Sequence, residues 1–280
     1  MRKLNFIKMQ GIGNDYVYID LFQETVENPS DLAVRLSHRR YGIGGDGLVL
    51  MTPSDIADLK MIMFNADGSE SQNCGNALRC VAKYAFENNI AKGDKVTIDT
   101  KAGIVDGSLG KCDNSGSLVT IEFRPPSFRG CDISDKLDES IKMEHSFYIG
   151  GREFVGTLVS MGNPHFVIYC DSVDAVPLED WGPEIEQYDQ FSQKINVEFV
   201  EILSRFHVRQ RTWERGSGET WACGSGAAAV CAAGVLTQKT DNDLRIDLTG
   251  GTLHLSWTGQ GQPLKMSGLA TEVFRGTIMI

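Results

Sequence analysis

Alternating apolar and polar positions, or clustered β-branched residues, occur in ten short runs: 3–9, 16–20, 60–64, 95–99, 118–123, 152–160, 165–169, 207–213, 244–248 and 252–257. A period of two predicts strands, and glycine-rich turns separate many of them. Two longer stretches, 76–87 and 225–236, read as helices rich in Ala, Val and Leu with few charges. A helix apolar on nearly every side suits enclosure by a curved sheet better than a place on a surface. Shorter helices are expected over 30–38 and 178–187. The expected fold class is α+β, with two pseudo-symmetric domains, each a curved mixed or antiparallel sheet wrapped around one central helix. Arg124-Pro125-Pro126 marks a break, because paired prolines end strands and donate no backbone hydrogen bond there. The expected division is 1–124 plus 268–280 for the domain carrying Cys74, and 125–267 for the domain carrying Cys223.

Pseudo-symmetry is legible as a repeated offset. Each long helix follows a Cys-Gly pair, and Cys223 lies 149 positions after Cys74. The same offset relates Asn14 to Asn163, Phe64 to Trp213, Asn65 to Glu214, Glu70 to Glu219 and Gly47 to Asn196. Four segments in register with no net insertion indicate a duplicated domain, since the period is far too long for a solenoid repeat.

Length and charge narrow the function classes. A chain of 280 residues has room for two ordinary domains, each with its own core. The net charge of −10, with no basic stretch interleaved with aromatics, argues against nucleic acid as a partner. No apolar run approaches the ~18 residues of a membrane span, and the first residues run into a strand-like segment without a signal-peptide core, so the expected location is the cytoplasm. Seven cysteines leave one unpaired in any complete disulfide framework, which favours free thiols. Neither Cys-x-x-Cys nor His-Glu-x-x-His occurs, so no metal site is expected.

The chemistry rests on the position of two cysteines. At a helix start, unpaired N–H groups and the macrodipole favour negative charge, so Cys74 and Cys223 are expected to ionise more easily than an ordinary thiol. An unperturbed thiol has a pKa of about 8.5, and a helix end supplies on the order of 0.3 to 2 kcal/mol, so a neighbouring base or cation must help. Gly75 and Gly224 let a substrate approach the backbone, where amides of the first turn can hold a carboxylate. A lone cysteine before a helix is more often a small buried hydrophobe, and that reading is kept for Cys80 and Cys231, which lie inside the helices and do not share the offset. Cys112, Cys131 and Cys170 have no motif around them.

Gly11-Ile12-Gly13-Asn14-Asp15-Tyr16, Phe64-Asn65-Ala66-Asp67-Gly68-Ser69-Glu70, Cys74-Gly75-Asn76, Gly162-Asn163-Pro164-His165, and Trp213-Glu214-Arg215-Gly216-Ser217-Gly218-Glu219-Thr220 with Cys223-Gly224-Ser225-Gly226 occur in this order along the chain. Together they resemble the diaminopimelate epimerase family over nearly the whole length. The resemblance implies interconversion of LL- and meso-2,6-diaminopimelate without pyridoxal phosphate or any other cofactor, in lysine and peptidoglycan-precursor synthesis, by a homodimer. It makes Cys74 and Cys223 the catalytic pair, with His165 and Glu214 adjusting their protonation. Inverting a stereocentre by proton exchange needs one group to remove the α-proton and another to deliver a proton on the opposite face, and two thiols suffice.

By the same resemblance the substrate is held by Asn14, Asn65, Asn76, Asn163, Asn196, Glu214, Arg215 and the helix-start residues Gly75, Gly224 and Ser225. Amides suit a zwitterion because each both donates and accepts, and the fork of Arg215 suits a distal carboxylate. Taken singly, these asparagines would be turn residues, Arg215 a surface ion pair, and His165 a structural histidine. Phe64, Trp213 and Trp221 are expected in the core or a pocket wall. One departure concerns Gly47, where some family members carry glutamine, so side-chain recognition is missing there. Two alternatives remain open: a proline, hydroxyproline or other amino-acid racemase on the same fold, and a thiol redox or ligand-binding protein. Solvent-deuterium exchange at a substrate α-carbon separates them.

Overall fold

The computed structural model describes residues 2–71, 74–113 and 116–280, apart from the side chains of Cys112 and Asp113. Asn73, which precedes the first catalytic candidate, and the Cys112 side chain therefore lie outside the description. The chain forms two compact units, Met1–Ile121 with Ser267–Ile280, and Glu122–Met266.

The first unit runs β1 (Lys3–Gly11), β2 (Asn14–Asp20), α1 (Pro29–Ser37), β3 (Gly47–Thr52), β4 (Leu59–Asn65), β5 (Glu70–Ser71), α2 (Gly75–Glu87), β6 (Lys95–Thr100), β7 (Gly103–Asp113) and β8 (Gly116–Phe123). The second runs β9 (His145–Ile149), β10 (Arg152–Ser160), β11 (Pro164–Tyr169), α3 (Leu178–Glu186), β12 (Asn196–Ser204), β13 (His207–Glu214), β14 (Gly218–Thr220), α4 (Gly224–Leu236), β15 (Asp243–Leu248) and β16 (Gly251–Trp257). The last strand, β17 (Leu264–Met279), returns most of its length to the first unit, where Met279 pairs with Lys3 of β1. Helices α1 and α3, β1 and β10, and α2 and α4 each start 149 residues apart. After α4 the offset falls to 148, as β6 and β15 show.

Both units use the same mixed ladder. In the first, β1–β2, β3–β4 and β6–β7 are antiparallel while β2–β3 and β4–β6 are parallel. In the second, β10–β11, β12–β13 and β15–β16 are antiparallel while β11–β12 and β13–β15 are parallel. Tyr18 stands opposite Val49 in one parallel pair, and Val167 opposite Glu198 in the other.

The ten runs read from the sequence leave out β3, β5, β7, β9, β12, β14 and β17 as strands. Strand β3 reads Gly-Leu-Val-Leu-Met-Thr, and its first five residues are all buried, so no alternation marks it. Parallel strands covered on both faces read as continuous apolar runs. Strand β7 carries three glycines, which disguise it as turn.

The long helices are cores in their own right. Every residue from Gly75 to Ala85 is buried in α2, and all but Ser225 from Gly224 to Gly234 in α4. Around α2, Ala77, Leu78, Val81 and Ala85 pack with Met9, Tyr18, Met63, Ile98 and Ile121 in one apolar cluster. Cys80 and Cys231 are fully buried, and burial pushes their thiols up to about 11 and about 12. Of the aromatic residues expected inside, Phe64 is buried but Trp221 is 63% exposed, because it sits on the irregular link between β14 and α4. No helix among the described residues is long and apolar enough to cross a membrane.

Candidate active site

In each unit a cysteine is the residue at which the chain turns from extended backbone into the central helix. Cys74 has φ −145° and ψ 113°, and Cys223 has φ −113° and ψ 107°. Their carbonyls accept the first helical bonds, from Leu78 N–H and Ala227 N–H, both at 2.9 Å. The amides of the first turn, Gly75 and Asn76 in one unit and Gly224 and Ser225 in the other, thus lie where a helix offers N–H groups without intrahelical acceptors.

In the first unit the partly buried Cys74 thiol donates to Asn14 Oδ1 at 3.4 Å, and Asn76 Nδ2 donates to the same oxygen at 3.3 Å. The Asn14 amide cannot turn freely, because its Nδ2 donates to Asp46 Oδ2 at 2.6 Å, and Asp46 in turn accepts from Asp15 N–H at 3.0 Å and from Arg39 at 2.9 Å. The sequence reading missed Asp46 as an orienting group. Its only signal was an acid set among glycines in Gly44-Gly45-Asp46-Gly47. Asn65, at the end of β4, holds its own turn, with Nδ2 donating to Ser69 Oγ at 3.0 Å. A Cβ on Gly47 would lie 2.1 Å from the Phe64 carbonyl and 2.9 Å from the Tyr16 ring, so this backbone has no room for a side chain at that position.

In the second unit Asn163, His165, Glu214, Cys223 and Ser225 come together. Asn163 Nδ2 donates to Ser225 Oγ at 3.3 Å, and Ser225 Oγ lies 3.7 Å from Cys223 Sγ. The Cys223 sulfur accepts from Gly226 N–H at 3.4 Å. His165 is fully buried, with Nε2 3.1 Å from Asn163 Oδ1 and Nδ1 2.8 Å from Glu198 Oε1. Glu214 accepts from Thr220 Oγ1, and its negative charge bears on Cys223. Asn196 ties the frame instead of facing outward: its Nδ2 donates to the Pro164 carbonyl at 2.8 Å and its Oδ1 accepts from Arg215 N–H at 3.0 Å. The exposed Arg215 guanidinium donates to the Gln193 carbonyl at 2.8 Å, leaving further donors of its fork outward.

Electrostatics correct one expectation. The start of α4 does favour a thiolate at Cys223, yet burial pushes this thiol well above its ordinary range, and the negative charges of Glu214 and Glu198 push it further. The Gly226 N–H and Ser225 oppose that shift without reversing it. Removing a charge from water outweighs the roughly 0.3 to 2 kcal/mol of a helix end. Burial likewise raises Glu214, relieved by its bond to Thr220 and by His165. Cys223 is therefore held as a thiol, ready to give up a proton, beside a carboxyl that can follow its charge. The sequence reading did not pick out Glu198, whose neighbours Val197 and Phe199 mark it as a core position.

The sequence profile described as diaminopimelate epimerase matches residues 6–121 and 157–273. A diaminopimelate epimerase of Acetivibrio thermocellus is 44% identical over 275 residues, covering 98% of each chain. That of Leptospira biflexa is 43% identical over 282 residues, covering 99% of this chain and all of its own. Among solved structures, a hydroxyproline epimerase from Agrobacterium vitis superposes with a TM-score of 0.70 at 14% identity, over 99% of this chain and 92% of that one, a likeness of fold alone. With a profile that spans both units and relatives above 40% identity along the whole length, this chain belongs to the diaminopimelate epimerase family.

Proposed function

We propose that this protein is a cofactor-independent isomerase that interconverts LL- and meso-2,6-diaminopimelate by proton exchange at the α-carbon, with Cys74 and Cys223 as its two acid–base groups. The observation that carries the assignment of the thiols is their equivalent place, each capping the N-terminus of a buried central helix. One thiolate takes the α-proton and the other thiol returns a proton to the opposite face, so the products carry a solvent-derived hydrogen. The carbanion formed in between spreads its charge onto the carboxylate, which the amides of Gly75, Asn76, Gly224 and Ser225 stabilise. Asn14, Asn65, Asn163 and Arg215 orient the zwitterion and its distal end, Asn196 shapes the frame around them, and Glu214 and His165 set the charge that Cys223 can carry. Free thiols suit a reducing compartment, so the reading places the enzyme in the cytosol, and family resemblance makes it a homodimer.

Incubation with LL-diaminopimelate in heavy water tests this reading, with proline and hydroxyproline in parallel. Deuterium at one α-carbon together with meso product is expected with diaminopimelate alone. Exchange with proline but not diaminopimelate overturns the substrate, and no exchange with any amino acid overturns the reaction.

A further inference from the structure

Glu198 stands on β12 with no exposed surface, and neither the reaction as proposed nor the resemblance gives it a task. A buried carboxylate is costly unless it is paired, so its retention in a core calls for a physical reason. Its Oε1 lies 2.8 Å from Nδ1 of His165, whose side chain is also fully buried. Room for this carboxylate depends on Gly226 in the first turn of α4, where a Cβ would come within 2.6 Å of Oε1 and 3.2 Å of Cys223 Sγ. The acid therefore reaches under the helix start, beside the thiol. The other half of the chain has Val49 and Ala77 at the equivalent places, both buried and apolar.

We infer that Glu198 is a positioning residue, whose buried carboxylate fixes a proton on Nδ1 of His165 and so aims the Nε2 side of the ring at Asn163, Ser225 and Cys223. Both ring nitrogens face oxygen atoms, so each is placed to donate a proton. With Nδ1 committed to the carboxylate, Nε2–H donates to Asn163 Oδ1 at 3.1 Å. That bond turns the Asn163 N–H group toward Ser225 Oγ, at 3.3 Å. His165 thus donates on one side to the core carboxylate and on the other to Asn163, which donates to Ser225 at the helix start, with the carboxylate orienting the ring as carboxylates behind histidines do in metal and hydrolase sites. The negative charge of Glu198 also disfavours ionisation of Cys223, consistent with its place beside the thiol. The inference rests on the reading of Cys223 as an acid–base group in epimerisation.

The experiment combines 15N NMR of the histidine ring with steady-state kinetics on the full chain, comparing the parent with Glu198→Gln and Glu198→Val, and using His165→Gln to assign the resonances. In the parent, both ring nitrogens of His165 are expected to carry protons at neutral pH. Glu198→Gln preserves volume and an acceptor but removes the charge. It should move the Nδ1 resonance, because the carboxylate that holds its proton is gone, and lower kcat about 10- to 100-fold, with KM changed less than about twofold. Glu198→Val should lower kcat at least as far. A parent ring whose Nδ1 carries no proton overturns the inference, as does a Glu198→Gln enzyme with kcat within about twofold of the parent. If the valine variant fails to fold, the isosteric glutamine and the parent spectrum still decide. If the parent does not exchange the α-proton of diaminopimelate, the proposed function fails, whereas the ring spectrum reports on Glu198 regardless.

Discussion

Tyr16, Val49 and Met61 fill in the first half the positions that His165, Glu198 and Gln210 fill in the second, one offset of 149 apart. All six are buried, on strands with the same pairing, beneath a helix that starts at the same register. The first set belongs to a continuous apolar cluster around α2, while the second places an imidazole, a carboxylate and an amide under α4. Duplication thus preserved the frame that presents each cysteine and allowed the chemistry below it to diverge. The helix start differs in step: the first half carries Ala77 where the second has Gly226, at which a Cβ would lie 2.6 Å from Glu198 Oε1. The consequence is asymmetry, because two carboxylates bear on Cys223, while the Cys74 thiol hydrogen-bonds to an asparagine that an aspartate holds from the other side.

The strongest way to break this comparison is to remove either thiol. Cys74→Ala and Cys223→Ala should each lower kcat for diaminopimelate by on the order of 10² to 10⁴, with circular dichroism unchanged, since acid–base groups contribute that much. An active Cys74→Ala enzyme would mean that only the charged half does chemistry. Next in size is a transplant: Val49→Glu places an unpaired acid inside the apolar cluster of the first unit and should destabilise it by about 3 kcal/mol or more in urea titration. Adding Tyr16→His should recover part of that loss if the pair is what makes the acid tolerable.

A third prediction concerns the buried thiols of both helices. Cys80, at about 11, and Cys231, at about 12, have pKa values above those of unfolded thiols. Their contribution to stability is complete below the unfolded value near 9 and is lost as pH rises through 11 to 12. The parent's unfolding free energy should therefore fall between pH 9 and 11 by up to about 3 kcal/mol more than that of Cys80→Ala, because each pKa unit corresponds to about 1.4 kcal/mol. Equal pH dependence in the two proteins would show that the Cys80 thiol titrates no higher in the fold than in the open chain. The smallest effect is the sharpest on the asymmetry itself: in a Cys74→Ala background, Glu214→Gln should move the alkylation of Cys223 by iodoacetamide to lower pH, since one negative charge beside the thiol is gone. An unmoved profile would sever Glu214 from Cys223.

Much of this protein was legible along the chain. The four helices fall within one residue of where periodicity and the Cys-Gly pairs put them, because caps and apolar periodicity are properties of neighbouring residues. Strands β3 and β12 escaped because a strand buried on both faces has no alternation to read. Asn14 and Asn76 hydrogen-bond around Cys74, and Asn163 bonds to Ser225 beside Cys223, whereas Asn196 bonds to the Pro164 carbonyl and the Arg215 amide. Asp46 and Glu198 went unnoticed as site residues because each acts on a partner more than 30 positions away.

By itself, the order of residues determined that the chain is a duplication, that a cysteine opens each central helix, and which family that pattern resembles, since spacing and local backbone preference carry that information. Only the tertiary structure decided the charge state of Cys223. Desolvation depends on what packs around the sulfur, and the two carboxylates that bear on it come from β12 and the end of β13, brought beneath α4 by strand pairing that no local pattern encodes.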